Sequence, residues 1–232
     1  MGRELLAAVE RSATDPAIRA VAISGSGSAF SSGADLTVER ELTPHGDPDL
    51  SVRLLTIYNP IIEAITTAPK PVVASVQGAA AGLGCSLALA CDLVIAEESA
   101  FFMLPFVRIG LVPDAGALVH TAARIGLTRA AEMALRGRRV KAEEAFAWGL
   151  INQVTAVGEL GAETDKLLAE LANGPTVALA NAKRLLRSGA LAGLADQLAH
   201  EARTQQLHAT TDDYAEGVAA FREKRRAEYK GR

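Results

Sequence analysis

The sequence predicts an α/β fold: a core over residues 1–157 and a helical region over residues 158–232. Three observations carry that prediction. Short apolar runs, bounded by glycine or proline, recur in the first two-thirds of the chain. Segments of helical period stand between them, an alternation that suggests parallel βαβ units. From Gly161 onward the pattern is nearly all helical. Val157-Gly158-Glu159 marks the boundary.

Residues 4–11 read as a helix with Leu5, Leu6 and Val9 on one face. Residues 18–24 read as a buried strand, ended by Gly25-Ser26-Gly27. The stretch 42–49 carries Thr43, Pro44, Gly46, Asp47 and Pro48 and reads as a loop. Leu50, Leu54, Tyr58, Ile61, Ile62 and Ile65 then recur at helical spacing, in a helix that stops before Pro69. Residues 72–76 form a strand, 83–91 an alanine-rich helix and 92–96 another strand. Helices follow over 114–125 and 128–135, split at Gly126, and over 141–148, ending at Gly149. The C-terminal helices fall at 163–172, 175–187, 194–207 and 212–229.

Bulk properties exclude several classes of function. The 232 residues suffice for one sizeable core. Hydrophobic content of 49% and charged content of 22% are ordinary for a soluble enzyme. A net charge of −3 offers no pull toward nucleic acid or an anionic membrane. No apolar run reaches transmembrane length, and the N-terminus is an amphipathic helix start rather than a secretory signal. Cys85 and Cys91 each sit inside an apolar run, which suggests buried thiols in a reducing, cytoplasmic compartment. Four scattered histidines leave no zinc spacing and no metal expectation.

The chemistry concentrates in three turns. Ser32-Gly33-Ala34-Asp35-Leu36 follows the apolar run at 20–23. The segment 78–85, rich in glycine and alanine and centred on Gly82-Leu83-Gly84, follows the strand at 72–76. Small residues let backbone N–H groups approach a ligand closely. Two such groups aimed at one point stabilise charge developing on a carbonyl oxygen. A helix starting at Leu83 adds its positive end. The third turn, Val112-Pro113-Asp114-Ala115-Gly116, could place a base beside that hole. Each turn also has a plainer reading. The second would serve close helix–strand packing through Ala80, Ala81 and Gly82. Asp35 is a natural cap for local N–H groups, and Asp114 a natural N-cap for the helix after it. Dinucleotide binding is disfavoured because neither glycine pair has the third glycine of the fingerprint, and no Gly-Lys-Ser/Thr marks a P-loop.

Taken with the C-terminal Phe221-Arg222-Glu223-Lys224-Arg225, these segments occur in an order that resembles the crotonase superfamily of enoyl-CoA hydratases and isomerases. The resemblance implies a crotonase-like spiral of ββα units with a helical C-terminal region. It implies that the N–H groups of Ala34 and Leu83 form the oxyanion hole. Ser32, Gly33, Asp35, Leu36 and Gly82 would contact the CoA thioester, and Phe106 would line the acyl pocket. Phe221 and Lys224, at i and i+3 on the last helix, would reach CoA in a neighbouring subunit of a trimer, or of a hexamer of two trimers. No separate cofactor is implied, since CoA arrives with the substrate. Family members begin with a strand and hairpin that help wall the CoA site; this sequence opens within the first helix instead.

The resemblance also bears on the reaction. Family isomerases and dehalogenases carry an acid where Asp114 stands. The two glutamates that family hydratases use for water are here Ser86 and Phe106. Hydration needs a base for water and an acid for carbon, whereas a double-bond shift needs one shuttling base. The expected activity is therefore enoyl-CoA isomerisation. Hydration, with Glu39 or Glu41 as a second acid, and silent thioester binding are the alternatives. His120 reads as a helix-face residue, and Ser31 and Ser32 have no nearby base to make them nucleophiles.

Overall fold

The computed structural model describes residues 1–38 and 40–232. Helix α1, Gly2–Thr14, precedes strand β1, Val21–Ser24. Helices α2, Ser51–Arg53, and α3, Asn59–Thr67, run together through a π-helical turn, Leu54–Tyr58. The extra residue of that turn shifts the helix face. Leu54 and Tyr58 turn toward a cavity, while Ile61, Ile62 and Ile65 are buried in the core.

Strands β2, Val72–Val76, and β3, Ala79–Ala81, lead into α4, Leu83–Ala90. Strands β4, Leu93–Glu97, and β5, Phe101–Met103, lead through a 3-10 turn, Pro105–Ile109, into α5, Ala117–Arg136. Strand β6, Arg139–Lys141, helix α6, Ala142–Trp148, and strand β7, Gln153–Thr155, complete the core. In successive units one strand joins a first sheet, the next joins a second sheet, and a helix follows. The first sheet is wholly parallel in the order β1-β2-β4-β7. The second has the order β3-β5-β6, with β6 antiparallel. A parallel bridge between Ser31 and Ala80 extends that second sheet by the first glycine-rich turn.

The strands expected at 72–76 and 92–96 are central in the parallel sheet, which explains their unbroken apolar character. The three-residue strands β3, β5, β6 and β7 are additions. They are too short to show a period in the sequence. The split expected at Gly126 is present: φ 71 and ψ 168 break α5 there. Its start differs, since helical geometry begins at Ala117 rather than Asp114.

Four helices follow: α7, Leu160–Asn173; α8, Thr176–Ala190; α9, Leu194–His208; and α10, Asp212–Glu223. Leu160, Leu167, Leu168 and Leu171 of α7 pack on Val73 and Ile95 of the first sheet. Lys183 of α8 is buried; its Nζ reaches Asp92 at 2.8 Å and donates to the carbonyl of Ile65 at 2.8 Å. No described helix is long and apolar enough to cross a membrane.

Candidate active site

The two glycine-rich turns meet backbone to backbone. Ser31 N–H donates to the Ala79 carbonyl at 2.9 Å, and Ala81 N–H to the Ser31 carbonyl at 2.9 Å. Gly33 then takes φ +97, and a Cβ there would lie 2.9 Å from the Ala81 oxygen and 3.4 Å from the Leu83 nitrogen. Only glycine permits both the dihedral and the approach. Leu83 opens α4 behind Gly82, with no side-chain cap. Its N–H is one of the orphan donors of a helix start. Neither Ala34 N–H nor Leu83 N–H finds an acceptor among the described residues.

Both residues face a cavity of about 750 Å³. Its wall also includes Ser32, Gly33, Asp35, Leu36, Gly82, Phe106, Asp114 and Phe221. Lys224 is not in it, and the reason is local. Helix α10 ends at Glu223, where Lys224 turns left-handed with φ 55, six residues short of the expected end. The tail doubles back instead. The N–H groups of Lys230 and Gly231 donate to the Asp213 carboxylate, and the Tyr229 hydroxyl donates to the Arg108 carbonyl. Phe221 and Lys224 therefore do not share a helix face. Helix α10 also packs on this chain's own 3-10 turn, with Gly217 against Ile109, so Phe221 borders this chain's own cavity.

Three aspartates line the cavity, and their surroundings separate them. Asp35 Oδ1 accepts from the Thr37 hydroxyl at 2.6 Å and the Thr37 N–H at 2.8 Å. These donors hold its carboxyl below the usual range. Asp49 Oδ1 accepts from the Ser51 hydroxyl at 2.8 Å and from the N–H groups of Ser51 and Val52 at the start of α2, and is lowered likewise. Asp114 differs. Burial pushes it up to about 7; the Gln205 amide lowers it in part, the Glu201 carboxylate raises it further, and Arg40 lowers it. A carboxyl poised near neutrality in a cavity is a candidate for proton transfer.

The plain reading of Asp114 as an N-cap does not hold. Gly116 is the N-cap of α5, and its N–H is taken by Glu201 Oε2 at 2.8 Å. The Asp114 side chain meets Gln205 Nε2 at 2.7 Å instead. Asp35, by contrast, does cap its own turn while facing the cavity.

The remaining candidates are placed as follows. Phe106 is buried and its ring lies against Gly82, 4.0 Å from where a Cβ would be. Ser86 is buried and its hydroxyl donates to the backbone carbonyl of Asp114 at 2.9 Å. Glu41 is exposed and outside the cavity wall; Glu39 lies outside the described residues. His120 is buried off the cavity, where desolvation pushes it down to about 3 and holds it neutral. Burial raises both cysteines to about 12 and keeps them inert.

Sequence reasoning missed Glu201, Gln205 and Arg40. A signal for the first two was present. Leu198, Glu201, Ala202 and Gln205 form one helix stripe at i, i+3, i+4 and i+7. All four are buried. Two polar residues in an apolar stripe need partners, and the acidic turn supplies them.

Comparisons with known proteins bear on the family and the fold. A family model described as Enoyl-CoA hydratase/isomerase matches residues 1–232. A Rhodobacter capsulatus protein named "Probable enoyl-CoA hydratase" is 41% identical over 237 residues, spanning 100% of this chain and 88% of the relative. The Escherichia coli "1,2-epoxyphenylacetyl-CoA isomerase" is 38% identical over 230 residues, spanning 99% and 86%. The crystal structure of an enoyl-CoA hydratase from Mycobacterium avium subsp. paratuberculosis is similar with TM-score 0.87 and 41% identity, over 98% of this chain and 86% of that one.

Proposed function

Because this chain belongs to the enoyl-CoA hydratase/isomerase family, we propose that it acts on acyl-CoA thioesters and shifts a double bond along the acyl chain. The thioester carbonyl accepts from the N–H groups of Ala34 and Leu83. That bonding lowers the cost of the enolate. The Asp114 carboxylate removes a proton from C2 of a 3-enoyl thioester. The C–H electrons form the C1–C2 double bond of a dienolate as the carbonyl π electrons move onto the thioester oxygen. Asp114 then returns the proton to C4: the carbonyl re-forms, the C1–C2 pair moves to C2–C3 and the C3–C4 π pair takes the proton. This leaves the 2-enoyl thioester with atoms and charge balanced.

The observation that carries this reading is Asp114, among the described residues the one neutral-poised carboxyl in the cavity wall. Asp35 and Asp49 are held ionised by local donors, and Ser86 and Phe106 cannot exchange protons at neutral pH. Glu201 is occupied by Gly116 and Gln197, outside the cavity wall. Hydration is the second reading, favoured by the hydratase names of the Rhodobacter relative and the Mycobacterium structure. The free, buried thiols of Cys85 and Cys91 support a reducing, cytoplasmic setting.

The test is an assay of purified protein with 3-enoyl-CoA and 2-enoyl-CoA. The expected result is interconversion of the two, with kcat/KM falling as pH drops through about 7, where Asp114 takes up its proton. Formation of 3-hydroxyacyl-CoA as the main product moves the chain to hydration. Tight thioester binding without any turnover makes it a silent binder.

A further inference from the structure

We infer that Gln205 of α9 is a positioning residue for Asp114, pinning one carboxylate oxygen and leaving the other as the single oxygen that carries the proton. The inference rests on the double-bond-shift reading and specifies which atom performs it.

Gln205 is 1% exposed. Its Nε2 donates to Asp114 Oδ2 at 2.7 Å and to the Val112 carbonyl at 2.9 Å. Both amide hydrogens are thus spent on the acidic turn. Its Oε1 is buried with no partner. A buried orphan acceptor is costly and calls for a reason. Reversing the amide would turn that oxygen toward two acceptors, Val112 O and Asp114 Oδ2. The orientation with the orphan is therefore the one that keeps both donors on the turn.

The consequence falls on Asp114. Its Oδ2 is held, and no described residue donates to Oδ1. The rest of the turn is held as well. Glu201 takes the Gly116 N–H, and the Ser86 hydroxyl donates to the Asp114 carbonyl. A base that returns the same proton to a second carbon must not lose it to a rotated geometry. Pinning Oδ2 restricts rotation of the carboxyl and keeps Oδ1 on the substrate side. The charged groups facing Asp114 are Glu201, on α9 with Gln205, and Arg40 on the loop after the first turn. Asp35 and Asp49 line the same cavity.

The experiment reads Asp114 directly. Protein labelled with ¹³C at the aspartate carboxyl is titrated by NMR, and the Asp114 signal is assigned by its loss in Asp114→Asn. Gln205→Met removes the donor at similar volume, and the Asp114 midpoint is expected to rise. Glu201→Gln removes the negative charge, and the midpoint is expected to fall. With 3-enoyl-CoA, Gln205→Met should lower kcat by about 10- to 100-fold with KM nearly unchanged, the scale of a displaced catalytic group. Its acid limb should follow the NMR midpoint. Should Gln205→Met not fold, Gln205→Glu loses the same donor and should raise the midpoint further. An Asp114 midpoint unmoved by loss of the Gln205 amide overturns the inference. So does a fall in kcat that tracks melting temperature alone. If the midpoint moves as expected but wild type shifts no double bond, the functional reading fails while the hold of Gln205 on Asp114 stands.

Discussion

At the scale of single residues, the role proposed for Asp114 conflicts with stability. Its carboxyl is pushed up to about 7 from the ordinary 3.8, chiefly by burial. The folded chain therefore binds that proton more tightly than the unfolded chain does. By linkage the group opposes folding fully above pH 7, and the penalty fades as pH falls toward 4. The full penalty is at most about 4 kcal/mol. Asp114→Asn keeps the size and still offers an oxygen to Gln205. We expect turnover to fall by about 10²–10⁴, the range for a lost acid–base group. The variant should also melt higher than wild type at pH 8, with the gap closing near pH 4. Equal melting temperatures at both values would mean that Asp114 is ionised in the fold without cost. Unaltered turnover would leave the proposed mechanism without a base.

At the scale of elements, helices α5 and α9 shape the site. Helix α9 touches three separate stretches. Leu198 O accepts from Asn59 Nδ2 on α3 at 3.2 Å, and Gln206 Oε1 accepts from Leu50 N–H at 2.9 Å. Glu201 and Gln205 grip the acidic turn. The cavity wall is thereby fastened to the acidic turn that holds Asp114. Helix α5 leads away from Asp114 and bends at Gly126, whose φ of 71 and ψ of 168 suit glycine alone. A Cβ at that position would meet nothing within 4 Å. The cost of Gly126→Ala is then pure backbone strain, about 1–3 kcal/mol. Urea denaturation should show a lower midpoint with an unchanged slope. An unmoved midpoint would mean that α5 can straighten through residue 126 without penalty.

Across the whole molecule, a partly buried ion cluster joins the helical region to the core. Asp92, at the entry to β4, bonds to Lys183 and Arg187 of α8, each at 2.8 Å. It also accepts the Val72 N–H at 2.8 Å. Outside that anchor α8 presents Val177, Leu185 and Leu186 well exposed. Apolar surface of this kind on a C-terminal helix favours self-association. We propose a trimer, or a hexamer of two trimers. Light scattering should give three or six times the chain mass of 24.2 kDa. A monodisperse monomer at micromolar concentration would end that proposal. Local sequence determined a good part of this architecture. The runs at 72–76 and 92–96 are continuous apolar stretches, so they had to become central strands. The positions of Gly33, Gly82 and Gly126 mark turns and a break that other residues could not make. Local sequence alone made Asp114 a natural N-cap, and only the order of the motifs, through the family resemblance, marked it as a base. Other features were decided only by tertiary structure. The three-residue strands exist because a neighbour is there to pair with, and no local period announces them. The end of α10 is set by a tail that folds back onto Asp213. The proton affinity of Asp114 depends on burial and on Gln205, 91 residues further along the chain. Local periodicity records what a residue meets within a few positions of itself; hydrogen bonds and desolvation act at a few ångströms, between segments that only the folded chain brings together.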